Sequence, residues 1–154
     1  YVIYRKVGNA KAWTKIATVK TLSYADRQVK AGVKYTYAVK ASGDYAISSY
    51  KAKAIYRVNG QDIDFFNSPA KAKINVKVLK DSTATGYQVQ YSKNSAFKGT
   101  KTVTFAGVKN TSLTFKTAGA GIKYFVRVRS YKKVGNTVYY GAWSSSISVV
   151  TEKY

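Results

Sequence analysis

The sequence predicts an all-β chain of tandem antiparallel β-sandwiches. Three observations carry the prediction: apolar residues alternate at period two, turn-forming residues separate the alternating runs, and the pattern occurs twice. No segment spaces its apolar residues at the 3.6-residue period of a helix.

In chain order, Tyr1-Val2-Ile3 and the run from Lys30 to Ala41 enter as counterparts of later strand segments. Further on, Ile74-Asn75-Val76-Lys77-Val78, Tyr87-Gln88-Val89-Gln90-Tyr91 and Val103-Thr104-Phe105 each read as half-buried strands. The longest run is Tyr124-Phe125-Val126-Arg127-Val128-Arg129-Ser130-Tyr131. Asp81-Ser82-Thr83, Lys98-Gly99, Gly107, Ala118-Gly119-Ala120-Gly121 and Gly135-Asn136 supply the turns between them. Val78, Val89, Val126 and Trp143 are assigned to the core, while the opposite face carries Lys, Arg, Thr, Ser and Gln and stays wet.

The repeat sets the domain organisation. Lys30 to Ala41 matches Gly119 to Ser130 at an offset of 89, Tyr1-Val2-Ile3 answers Tyr87-Gln88-Val89 at 86, and Tyr50 answers Trp143 at 93. An offset that drifts along the chain means loops of unequal length around equal strands. Residues 1–57 form one unit and 70–154 another, and 58–69 link them, ending the last strand of the first unit and starting the next repeat. The linker contains the only Pro, Pro69, which suits a strand edge or bulge. Its apolar Ile63, Phe65 and Phe66 predict partial docking rather than a free hinge.

These residues resemble bacterial fibronectin type III repeats. Gly86-Tyr87-x-Val89-x-Tyr91-Ser92 is similar to the family's strand C, Gly121-x-x-Tyr124-x-Val126-x-Val128 to its E–F corner and strand F, and Ala142-Trp143-Ser144 to the start of strand G. The resemblance implies that Tyr35 and Tyr124 are tyrosine-corner residues, each with a buried ring and a hydroxyl bonded back to the E–F backbone. It further implies a secreted or surface-attached Gram-positive protein, extracellular in location. Val78 stands where strand B of the family usually places Trp, and Val29 and Ala118 stand where Leu is common. Residue 1 falls inside strand C, so the first repeat is expected to lack strands A and B. They are then either parts of a longer chain or replaced by a strand given in trans by a partner or a second copy.

Composition narrows the chemistry. Of 154 residues, 27 are Lys or Arg and 6 are Asp or Glu, a net charge of +21, yet 45% apolar and 15% aromatic residues mark a folded chain rather than a basic tail. The absence of Cys, His and Met removes thiol nucleophiles, imidazole bases, haem, iron–sulfur clusters and ordinary structural zinc. No stretch approaches the roughly 18 apolar residues of a membrane helix. Zero cysteine leaves the redox compartment open.

The remaining constellations are poor catalysts. The acids are scattered, and Asp62 and Asp64 alone stand close; a calcium site there would need about six oxygen ligands. Ser144-Ser145-Ser146 has no base partner, and Gly119-Ala120-Gly121 precedes a strand and lacks the Lys-Ser/Thr of a phosphate loop. No enzyme and no cofactor are expected. The basic surface is the positive signal: residues 1–57 hold 12 cations against 2 acids and residues 70–154 hold 15 against 2. Such a field attracts anionic cell-wall or host polysaccharides. Lys outnumbers Arg, which favours diffuse contacts, and aromatics assigned to the core leave no stacking row for nucleic acid. The hairpin 131–140 is the candidate binding site, with Lys132 and Lys133 on one arm and Tyr139 and Tyr140 on the other. Trp13 is a further candidate for exposure. A spacer or presentation module is the leading expectation, with an adhesin or carbohydrate-binding module and an assembly subunit as alternatives.

Overall fold

The computed structural model describes residues 1–41 and 52–154, so Asp44 and the match of Tyr50 to Trp143 lie outside the described residues. The chain divides into two compact units, Tyr1–Arg57 and Val58–Tyr154. The first holds β1 (Val2–Val7), β2 (Thr14–Thr18), β3 (Lys34–Lys40) and β4 (Lys53–Tyr56). The second holds β5 (Ile63–Asn67), β6 (Lys73–Val78), β7 (Gly86–Ser92), β8 (Lys101–Ala106), β9 (Ser112–Lys116), β10 (Lys123–Val134), β11 (Thr137–Tyr140) and β12 (Ile147–Val150).

Two sheets face each other in the second unit. One runs β5-β6-β9; the other runs β8-β7-β10-β11, with β12 also paired to β10. Alternation along β6, β7 and β10 turns Ile74, Val76, Val78, Tyr87, Val89, Tyr91, Tyr124, Val126 and Val128 into one core, closed by Phe105 and Phe115. Each fully buried Val or Ile contributes about 1.5–3 kcal/mol of transfer free energy. Rings interlock across the sheets: Tyr91 packs on Phe115 at 4.9 Å and edge-on to Tyr124 at 5.7 Å between centroids. Tyr87 is wholly buried, and its hydroxyl accepts the Asp81 N–H at 2.8 Å while donating to the Val108 carbonyl at 3.2 Å. One side chain thereby ties together the β6–β7 and β8–β9 loops at one end of the core.

The segment 58–69 contributes the edge strand β5, which pairs antiparallel with β6. Ser68, just before Pro69, donates its hydroxyl to the Lys73 carbonyl at 2.7 Å and closes the turn between those strands. The last strand of the larger sheet is interrupted. β11 pairs with the end of β10 and β12 with its beginning, while 141–146 passes alongside without joining the ladder. Gly141 N–H reaches the Ser130 carbonyl, and Ser144 takes over at Val128 with both its N–H and its hydroxyl. A Cβ at residue 141 would collide with the Asn59 backbone, so only glycine allows this passage.

Among the described residues the first unit is a single four-stranded sheet, β2-β1-β3-β4, all antiparallel. The repeat survives as register: Ile3 lies opposite Val39 as Val89 lies opposite Val128. One face holds Ile3, Arg5, Val7, Tyr35, Tyr37, Val39 and Ile55. In the second unit the equivalent face is the core. Here Val7, Val39 and Ile55 are each more than 40% exposed. Arg5 stands where the repeat places Tyr91, so the expected purely apolar face carries a charged network instead. Arg5 Nη1 donates to Asp26 Oδ2 at 2.8 Å and to the Gln28 carbonyl at 3.1 Å, with the guanidinium 5.6 Å from the Tyr35 ring centroid. Tyr37 donates its hydroxyl to the same Asp26 oxygen at 2.9 Å, and the Gln28 N–H donates to the other at 2.9 Å.

Burial pushes the Asp26 carboxyl up, but the Gln28 N–H, Arg5 and Tyr37 outweigh it and hold the group below its ordinary range. Burial and the bond to Asp26 push the Tyr37 hydroxyl well above its own. Because the folded pKa of Asp26 lies below the unfolded one, the unfolded chain binds the proton more readily. The network therefore stabilises the unit at neutral pH, and that contribution is lost as pH falls below the ordinary carboxylate value and through the folded one. Asp26→Asn is expected to lower the neutral-pH stability of this unit and to flatten its acid dependence, read from the amide signals of residues 28 and 37 during an acid titration. An acid midpoint identical in the two proteins would refute the assignment.

Candidate functional site

The outer face of the larger sheet in the second unit concentrates the exposed chemistry. Alternation along β10 that sends Val126 and Val128 inward sends Phe125, Arg127 and Arg129 outward, and it aims Gln88 and Gln90 of β7 and Thr102 and Thr104 of β8 the same way. Gln90 Oε1 accepts Nε of Arg127 at 2.8 Å as well as its Nη2, and Gln88 Oε1 accepts Nε of Arg129 at 2.9 Å. The amide nitrogens of the same glutamines donate onward to Thr104 and to Thr100 and Thr102. Each guanidinium is thus held in plane by a neutral acceptor. Among the described residues the ion pairs are Arg5–Asp26 and Lys77–Asp64, and neither of these two arginines meets a carboxylate.

Aromatic rings complete the array. Arg127 lies 4.0 Å from the Phe97 centroid and 4.9 Å from that of Trp143; Arg129 lies 4.2 Å from Trp143 and 3.7 Å from Tyr140. Phe97, Arg127, Trp143, Arg129 and Tyr140 form one alternating stack in which both guanidiniums are sandwiched. Such contacts are worth about 0.5–1 kcal/mol each when exposed and about 2 when desolvated. Burial, with a smaller push from Arg127, lowers the Arg129 pKa below its ordinary value, while the group stays charged at neutral pH.

This placement corrects the reading of Trp143 as a core residue. It is half-buried and sits outside, because 141–146 leaves the ladder and swings its ring over Arg127 and Arg129. The placement also revises the view that no aromatic row exists on the surface. Phe97 takes its place from a loop in which it adopts φ 55°, a conformation period-two reasoning cannot anticipate. The repeat itself held one clue: Arg127 aligns with Ala38 and Arg129 with Lys40, so the arginine pair belongs to the second copy alone.

Val78, Val89 and Val126 lie in the core at 1%, 0% and 0% exposure. The hairpin forms with the two-residue loop Gly135-Asn136, Gly135 at φ 57° in the first position of a II′-like turn. Its four candidate residues divide between two faces. Lys132 pairs with Tyr139 on one; Lys133 shares the other with Tyr131, whose partner is Tyr140. Lys132 Nζ donates to the Thr83 carbonyl at 3.0 Å, so part of this charge anchors a loop. Trp13 is half-buried with the Lys6 ammonium 4.5 Å from its centroid. Asp64 pairs with Lys77 at 3.2 Å, and the Ser144 hydroxyl is engaged by backbone.

The two corner tyrosines differ. Tyr35 is buried and its hydroxyl accepts the Lys30 N–H at 2.8 Å. Tyr124 is equally buried, but its hydroxyl has no partner, contrary to the bond the resemblance implied. At that corner the hydroxyls of Thr117 and Thr151 converge on the Gly119 carbonyl, at 3.1 and 2.9 Å, and hold the turn instead. Tyr35→Phe is expected to lower the free energy of unfolding by about 1 kcal/mol, since it removes a part-buried hydrogen bond from the Lys30 N–H. Tyr124→Phe is expected to leave stability unchanged or to raise it by up to about 1 kcal/mol, because it removes a desolvated, unbonded hydroxyl. Urea denaturation of the two variants checks both; equal losses would contradict the contrast.

Neither a known family profile nor any curated protein matches the sequence. Among solved structures, the FN1–FN3 domains of chicken CNTN1 align with TM-score 0.51 at 18% identity over 99% of this chain and 53% of their own length. The fn3 domain of human contactin 1 aligns with TM-score 0.51 at 16% identity over 76% of this chain and 95% of its own. The chain spans about half the length of the chicken structure it matches, at 53%. Together with the antiparallel sheets described above, these likenesses show the fold: all-β, of fibronectin type III-like sandwich architecture.

Proposed function

We propose that the chain is a non-catalytic extracellular spacer or presentation module of a larger secreted or surface-attached bacterial protein, one that contacts anionic cell-wall or host polysaccharides through its cationic surface. The observation that supports this reading is the imbalance of charge on an otherwise ordinary sheet scaffold. The chain carries 27 basic residues, and among the described residues only two ion pairs neutralise any of them. Cations spread over both units create a field that draws in polyanions and is screened over a Debye length of about 10 Å at 0.1 M salt. No described helix is long and apolar enough to cross a membrane.

Retention on immobilised dextran sulfate tests the reading. The binding constant is expected to fall at least about tenfold between 0.05 and 0.3 M sodium chloride, following the screening length, with no retention on neutral dextran. No retention at 0.05 M, or equal retention on the neutral polymer, would overturn it.

A second reading, assembly in trans, draws on Val7, Val39 and Ile55 standing exposed on the first unit's face, whose counterpart within the second unit is covered by that unit's own other sheet. A strand from another chain that completed this face would make the mass depend on concentration. Light scattering of residues 1–154 over a tenfold concentration range is then expected to show mass above one chain at physiological salt, lost on Ile55→Lys. A monomer throughout would end this reading.

A further inference from the structure

We propose that Arg127 and Arg129, both packed against Trp143 on the outer face of the larger sheet, form a defined site for the oxyanion groups of an acidic polysaccharide, with sulfate or carboxylate as the recognised group. The inference rests on the reading of the module as a polyanion-contacting surface, and it replaces diffuse attraction by a particular pair of side chains.

Among the described residues neither guanidinium meets a carboxylate. A guanidinium in a structural role is ordinarily matched by a carboxylate, and here each is matched by the neutral oxygen of a glutamine. Full positive charge therefore remains at both positions. Of the five N–H donors on each group, Arg127 commits two and Arg129 one. The remaining donors have a fork geometry suited to two oxygens of one anion.

Preorganisation is the second part. Holding a free arginine side chain still for a ligand costs rotamer entropy on the order of 2 kcal/mol. Here stacking on Phe97, Trp143 and Tyr140 and bonding to Gln88 and Gln90 restrain both side chains before any ligand arrives. The two positions are one strand repeat apart, roughly 7 Å along β10, a spacing at which successive charged groups of a linear polymer can be read together.

The neighbours choose the polymer. The Trp143 ring is already engaged by two guanidiniums, at 4.9 and 4.2 Å from its centroid, and so is not an open platform for a nucleic acid base. Beside the arginines lies the grid of Gln88, Gln90, Thr102 and Thr104, whose amides and hydroxyls match the hydroxyl-rich backbone of a sugar chain. Charge complementarity and hydroxyl complementarity therefore occur on one face.

The test exploits the difference between arginine and lysine. In Arg127→Lys with Arg129→Lys the net charge is unchanged, whereas the fork is lost. Affinities for dextran sulfate, carboxymethyl dextran, neutral dextran and single-stranded DNA are measured by calorimetry at 0.15 M salt. The wild type is expected to bind the sulfated and carboxylated polymers and to prefer them to DNA, and the double variant is expected to bind them at least about tenfold less tightly, the loss of a charge-assisted hydrogen bond. The ratio of the sulfated to the carboxylated polymer assigns the oxyanion. Should the variant unfold, the Arg Nε–H NMR signals of the wild type, titrated with inorganic sulfate against chloride at equal ionic strength, decide the matter, with saturable shifts confined to Arg127 and Arg129 expected. Unchanged affinity in a folded double variant, tighter binding to DNA, or Arg signals that do not move would overturn the site. The first and last of these would leave the diffuse polyanion reading standing, whereas no wild-type binding at 0.05 M salt would remove that reading and leave the sulfate titration to judge the pair alone.

Discussion

Strand β10 is the constraint on which the second unit depends. Its twelve residues pair with β7 on one side and with both β11 and β12 on the other, so two edges of the fold meet on one backbone. A strand has a strict period of two, and every decision about one face is a decision about the other. Placing Tyr124, Val126 and Val128 against Ile74, Val76 and Val78 commits Arg127 and Arg129 to the outside. A register slip of one residue would bury two guanidiniums and expose two valines. The core and the cationic stack are thus two consequences of one alternation.

The charge of the chain is accommodated by that geometry. With 27 basic residues and six acids, neutralisation by pairing is arithmetically impossible, and self-repulsion is the standing cost. The second unit keeps most of its cations on outward positions and disperses those of Arg127 and Arg129 over ring faces and glutamine carbonyls. The first unit takes the other route. It turns Arg5 onto the face that its repeat partner uses for a core ring and spends one of the scarce acids, Asp26, on it. The two copies have the same strand register and opposite solutions on the corresponding face.

Much of the architecture was legible because it rests on local rules. Val78, Val89 and Val126 could be assigned inward from alternation alone, and Gly135-Asn136 announced its hairpin through turn chemistry. Trp143 was misread for a physical reason. Its neighbours alternate as a strand would, yet the backbone leaves the ladder between β11 and β12, and what permits this is the contact of Gly141 with Asn59, more than eighty positions away. Tyr124 shows the same limit: the corner residue was evident from its motif, but its hydroxyl is left without a partner while Thr117 and Thr151 hold the turn through the Gly119 carbonyl, an arrangement that brings separate segments together.

The sequence by itself determined the class of the fold, the doubling of the pattern, the inward and outward sides of β6, β7 and β10 and the excess of positive charge. These follow from composition and from a two-residue period, which act between neighbours along the chain. Only the tertiary structure decided that Phe97, Arg127, Trp143, Arg129 and Tyr140 form one stack, that Arg5 and Asp26 meet, and that the hairpin divides its lysines and tyrosines between two faces. Each of these joins residues from separate strands or loops, and their contact depends on how the intervening backbone turns.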